Sequence, residues 1–276
     1  MSDEQRYAVL IDAENVSPKY IKIVLDEASN YGITTYRRIY GDWTNTRNNG
    51  WKEVLLDNSI TPIQQYSYTD GKNSSDSAMI IDAMDILYSM SVDGFVIVSS
   101  DSDFTRLAAR LRESGMSVIG MGESKTPAAF IAACNTFKYL DILYQNEREP
   151  EEVAEDLTPP ESFDKKQVKR PANPKEFTPR RNGRKDVEKE NPQPQTKLST
   201  IKRALKTIIQ ENSDEDNWMS MANLGNQLSK RFPDFDVRNY GHKKLVTFVE
   251  SLEDFEIEHR LVSQDGKTKQ LFVRIK

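Results

Sequence analysis

Between Tyr7 and about Tyr144 the chain alternates short apolar runs with longer stretches in which apolar residues recur every three or four positions. The runs are YAVLID (7–12), ITTYRRIYGD (33–42), ITPIQQYSY (60–68), GFVIVSS (94–100) and SVIGMG (117–122). Their apolar, β-branched content predicts strands, several of them buried on both faces. The stretches between them carry helical spacing: Ile21, Val24, Leu25 and Ala28; Trp51, Val54 and Leu55; Met79, Ile80, Ala83, Met84 and Leu87; Leu107, Ala108 and Leu111. Ser17 and Pro18 suit the cap and first turn of the first helix, and Gly32 its end. Strand–helix alternation predicts an α/β domain over residues 1–146, a mostly parallel sheet sandwiched by helices.

The pattern stops from about 147 to 196. That stretch holds PP, NP and NPQPQ, few large apolar residues, an acidic first part (EREPEEVAED) and a basic second part (KKQVKR, RRNGRK). It reads as a disordered charged linker. Periodicity returns over 197–276. Ile201, Leu205 and Ile208 share a helical face, further helices are expected over MSMANLGNQLSKRF and KKLVTFVESLE, and two alternating strands, FEIEHRL and KQLFVRI, flank SQDGK with its Asp-Gly turn signal. Three helices and a ribbon make a small winged helix-turn-helix pattern.

Composition narrows the chemistry. A formal net charge of −5 argues against coating nucleic acid by bulk attraction, and leaves room only for local basic patches. With one cysteine (Cys134) and two histidines (His242, His259), disulfide frameworks, Cys/His zinc sites and Ser-His-Asp catalysis are poorly supplied. MSDEQRYAVL lacks a signal-length apolar stretch and no run approaches bilayer length, so a cytoplasmic protein without membrane contact is expected.

Carboxylates gather where chemistry is expected. In open parallel sheets ligands sit beyond the carboxyl ends of the strands. The first strand ends in Asp12, with Asn15 three residues on. The fourth runs into Ser99, Ser100 and Asp101, with Asp103 opening the next helix, and GKNSSDSAM places Asp76 in the first turn of the third helix. Singly, Asp76, and Asp103 or Ser102, read more readily as helix caps. Together, Asp12, Asp76, Asp101 and Asp103 on one rim would repel by about 4 kcal/mol per close pair at an effective dielectric of 20, which calls for a cation. An oxygen-only ligand set favours Mg²⁺ or Mn²⁺. Asn15, uncharged, suits orienting a carboxylate or accepting a water.

These motifs resemble the NYN branch of the PIN-like nuclease superfamily: D-x-x-N at Asp12 and Asn15, K-x-x-x-D at Lys72 and Asp76, and S-x-D-x-D-F at Ser99, Asp101, Asp103 and Phe104. The resemblance covers roughly residues 6–144. It implies a PIN-like fold and a metal-dependent ribonuclease with the four aspartates around the ion. The C-terminal segment resembles an OST-HTH, or LOTUS, domain through L-G-x-x-L and F-D-x-R-N-Y-G, which implies RNA binding or protein docking.

An acidic pocket needs basic flanks to receive RNA. Lys72 and Arg106 are the nearest candidates, with Arg37, Arg38, Arg47 and Lys52 beside the early strands. In the C-terminal module Arg238, Lys243 and Lys244 precede or begin the third helix, Lys267 and Lys269 flank the wing, and Tyr240 is a base-stacking candidate. The leading expectation is an endoribonuclease whose C-terminal module binds RNA or docks a partner protein. The alternative is a non-catalytic RNA-binding adaptor with a structural metal pocket. Phosphatase and nucleotide-binding readings lack G-x-G-x-x-G, G-K-[ST] and a D-x-D on the first strand. Oligomeric state is not legible in the sequence.

Overall fold

The computed structural model describes residues 4–66, 74–155, 192–261 and 269–276. Lys72, Lys267 and the Asp-Gly turn lie outside the described residues, as does most of the predicted linker.

The first domain is built on six parallel strands: β1 (Arg6–Asp12), β2 (Ile33–Gly41), β3 (Thr61–Gln64), β4 (Gly94–Val98), β5 (Ser117–Gly122) and β6 (Thr136–Tyr139), in the order β3-β2-β1-β4-β5-β6. Helices α1 (Ile21–Ser29), α2 (Trp51–Asp57), α3 (Ser74–Tyr88), α4 (Thr105–Glu113), α5 (Ala128–Ala133) and α6 (Leu140–Glu155) connect and cover them. Alternation along β1 shows why the central strands β1 and β4 are almost wholly apolar. Ala8 and Leu10 face a layer with Met79, Leu107 and Phe130, while Tyr7, Val9 and Ile11 face the opposite layer with Val24, Trp51 and Leu143. Both faces are buried, so no polar alternation survives. The predicted α/β sandwich is therefore the observed fold.

Several details differ. The third strand is four residues long rather than nine, on the sheet edge where Pro62 has no ladder bond to break. Ser17 makes no side-chain cap; Pro18–Tyr20 form a 3₁₀ turn ahead of α1. Three elements of this domain, α5, β6 and α6, were not anticipated. Helix α6 continues to Glu155, past the expected boundary at 146, because a helix already begun extends at the cost of one residue per hydrogen bond gained.

The second domain packs α7 (Leu198–Asn212), α8 (Met221–Arg231) and α9 (Leu245–Ser251) against a three-stranded antiparallel sheet of β7 (Met219–Ser220), β9 (Lys269–Ile275) and β8 (Phe255–Leu261). Ile201, Leu205, Leu224, Leu228, Phe248 and Val273 form its core. Among the described residues no helix is long and apolar enough to cross a membrane.

Candidate active site

The strand order reverses direction between β1 and β4. That switch point leaves a crevice outside the carboxyl ends of the two strands. The register pairs Ile11 with Val98, so the next residues, Asp12 and Ser99, meet across the crevice. Ser99 Oγ donates to Asp12 Oδ2 at 2.8 Å and accepts from the Asp101 amide at 3.0 Å. One small hydroxyl thus ties the carboxylate that ends β1 to the loop after β4. Gly122 on β5 makes the tight approach possible, since a Cβ there would lie 2.6 Å from the Ser99 carbonyl oxygen.

Asp12 is 1% exposed and its two oxygens are fully engaged. Oδ1 accepts from the backbone amides of Glu14 (3.0 Å) and Asn15 (3.3 Å), and Oδ2 accepts from Asn15 Nδ2 (2.8 Å) as well as Ser99. Burial raises its pKa, and these four bonds oppose the rise by holding the ionised form. Asn15 is therefore an orienting partner of Asp12.

Asp76, in the first turn of α3, is also buried. Burial, then the negative charges of Asp12 and Asp101, push its carboxyl up to about 7. Asp101 caps the 3₁₀ turn Ser102–Phe104 by accepting from the Asp103 amide at 2.9 Å, so Asp101, rather than Ser102 or Asp103, is the cap. One carboxylate oxygen from each of Asp76, Asp101 and Asp103 lies within 4.8 Å of the others. The structure thus gathers three of the four expected aspartates into one cluster. The fourth, Asp12, stands behind it, near enough to raise the pKa of Asp76 and held by its own hydrogen bonds. Among the described residues no lysine or arginine forms an ion pair with Asp12, Asp76 or Asp101.

The basic candidates divide. Arg106 is exposed one turn past Asp103, and Lys243 and Lys244 are exposed on the second domain. Arg38 is engaged by Asp82, which also accepts from the Tyr40 hydroxyl, and Arg37 bonds Thr34 and the Asn58 carbonyl. Arg238 is occupied by the carboxylates of Glu27 and Asp236. Tyr240 packs on Phe235 and Phe248, and its hydroxyl donates to the Thr196 carbonyl at 2.7 Å, so it is a packing residue and not an open stacking platform. The orienting role of Ser99 had not been assigned from the sequence. Its signal was a small hydroxyl directly after a wholly buried strand.

Replacing Ser99 with alanine removes a donor to Asp12 and an acceptor for Asp101 without touching a carboxylate. Divalent-cation affinity, measured by calorimetry, is expected to fall about 10- to 100-fold, the usual cost of losing an outer-shell partner.

In a comparison with curated proteins nothing matches the chain. Among solved structures, a crystal structure of a Vibrio parahaemolyticus protein of unknown function, VPA0982, aligns at 19% identity and a TM-score of 0.44, covering 51% of this chain and 96% of that one. A solution structure of an uncharacterized Nitrosomonas europaea protein aligns at 28% identity and a TM-score of 0.26, covering 36% and 92%. Both superpose too loosely to carry an argument. Family models match along most of the folded chain: NYN domain over residues 6–141 and OST-HTH/LOTUS domain over residues 196–265. The chain thus carries an NYN domain as its first folded unit and an OST-HTH/LOTUS domain as its second.

Proposed function

We propose that the protein is a metal-dependent endoribonuclease that hydrolyses RNA phosphodiester bonds at the crevice between β1 and β4. The observation that carries this reading is the convergence of Asp76, Asp101 and Asp103 on one point beside the buried Asp12. The donor set is carboxylate oxygen alone, which fits a hard cation such as Mg²⁺ or Mn²⁺. Asp76, Asp101 and Asp103 would hold it. A bound ion of this kind lowers the pKa of a coordinated water and offsets charge on a phosphodiester.

The protein's own part is positioning. Ser99 and Asn15 lock Asp12, the 3₁₀ turn fixes Asp101 relative to Asp103, and α3 delivers Asp76 from the far side. A metal-bound water requires no side-chain nucleophile, which fits the short supply of histidine and cysteine: His242 and His259 belong to the second domain, and burial pushes the Cys134 thiol up to about 12. Arg106 lies on the rim where a phosphate backbone would pass; Lys72, four residues ahead of Asp76 in the sequence, is the second candidate. Exposed Lys243 and Lys244 are the substrate-binding candidates of the OST-HTH domain.

The test is incubation of the full chain with single-stranded and hairpin RNA, in Mg²⁺ or Mn²⁺ and in EDTA, with products mapped on a sequencing gel. Internal cuts that require the cation are expected. Binding of RNA with no cleavage under either metal would replace this reading with the adaptor.

A further inference from the structure

Helix α1 buries Ile21, Ile23, Val24 and Ala28, and among them a charge, Glu27. No step of the proposed hydrolysis uses it. Its partner comes from the other domain. Arg238 Nη1 and Nη2 reach Glu27 Oε1 and Oε2 at 2.5 and 2.9 Å, a bidentate pair. The same guanidinium binds Asp236, Nε to Oδ1 at 3.0 Å and Nη2 to Oδ2 at 2.7 Å. Lys138 on β6 closes the cluster, with Nζ 2.6 Å from Asp236 and 3.7 Å from Glu27. Two cations and two carboxylates balance. Side-chain exposure is 9% for Glu27, 10% for Asp236, 14% for Lys138 and 35% for Arg238.

Around this cluster the contact is stereospecific. β6 is the last strand of the sheet, and the Phe137 amide on its open side donates to the Pro233 carbonyl at 2.7 Å. An edge strand left bare is a template for unwanted pairing. Buried Asp234 accepts from the Tyr139 hydroxyl at 3.0 Å and from the Thr196 hydroxyl at 2.7 Å, and Asn146 Nδ2 donates to the Arg238 carbonyl at 3.1 Å. Gln195 donates to the Thr126 carbonyl in the loop after β5, on the same rim as the acidic crevice.

We infer that the Pro233–Tyr240 segment of the OST-HTH domain is a docking element for the NYN domain of the same chain, with Arg238 as its positioning residue rather than a contact to RNA. It covers the open edge of the sheet. It also fixes Lys243 and Lys244, which follow directly, at a set distance from the crevice. This inference stands whether or not the crevice hydrolyses RNA.

Spin labels on cysteines introduced at exposed Lys22 and Thr247 of the full chain test it; native Cys134 is buried and takes no label. The unaltered interface is expected to give one narrow interspin distance. Arg238→Ala and, from the other side, the milder Glu27→Gln are expected to broaden it. In the Arg238→Ala protein the Phe137 amide should exchange about 100-fold faster, since removing one partner of a buried pair strands the other charge. A narrow distance that persists in both variants overturns the inference. So does a distance that narrows only as concentration rises, which would place the docked domain on a second copy. An Arg238→Ala protein that stays docked and whose RNA binding loses about 0.7 from its salt slope makes Arg238 a phosphate contact, and also overturns it.

Discussion

Asp101→Asn is expected to lower the rate of RNA hydrolysis in Mg²⁺ or Mn²⁺ by about 10³-fold, a barrier increase of about 4 kcal/mol at 1.36 kcal/mol per decade. The choice of asparagine isolates the charge. Asp101 Oδ1 accepts from the Asp103 amide, and an asparagine carbonyl oxygen can accept the same bond, so the 3₁₀ turn keeps its cap. The link from the Asp101 amide to Ser99 is backbone and is untouched. What disappears is one of the three carboxylates meeting at the crevice. Initial rates with a labelled RNA, at metal concentrations raised tenfold to expose any loss of affinity, separate a binding defect from a catalytic one. A variant that retains the full rate would show that the acidic cluster is not where RNA is cut.

The aspartates were legible because the physics that places them is local. A buried apolar run predicts a parallel strand, and the rule for parallel sheets says what lies beyond its carboxyl end. Asp12, Asp101 and Asp103 follow directly. Asp76 follows from the start of the helix leaving the same edge. Their division of labour did not follow, because it depends on hydrogen bonds between Asp12 and Ser99, 87 residues apart. β6 was missed for a different reason. Thr136–Tyr139 has only four residues and passes into α6 without a glycine or proline to mark the change. Arg238 illustrates the hardest case. A basic residue ahead of a helix in a helix-turn-helix pattern suggests phosphate, and its actual partner, Glu27, is 211 residues away. The available hint was on α1, where Glu27 follows Val24 by three residues and so borders the face that spacing assigns to the core.

Asp76→Asn is expected to stabilise the protein at pH 8 without divalent metal and to remove most of the stabilisation that metal confers. Burial and the neighbouring Asp12 and Asp101 raise the folded-state pKa of Asp76 to about 7, above the usual unfolded value. The folded protein therefore holds this proton more tightly than the unfolded chain does. Stability from Asp76 is present below about pH 4 and is lost as pH rises towards 7. Above that the ionised carboxylate is a liability of about 1–2 kcal/mol, once screening at the open rim is allowed for. The α3 dipole works the other way, but by only about 0.3–1 kcal/mol. Removing the charge should raise the melting temperature by about 2–6 °C in EDTA at pH 8, and by little at pH 4. A saturating cation reverses the order. At 100 times its dissociation constant it stabilises the unaltered protein by about 2.7 kcal/mol, and the asparagine variant should gain little of this. Melting curves in EDTA and in Mn²⁺ would then cross. If Asp76→Asn instead melts lower in both, the carboxylate serves the helix start and not a cation, and the crevice loses its most strongly perturbed ligand.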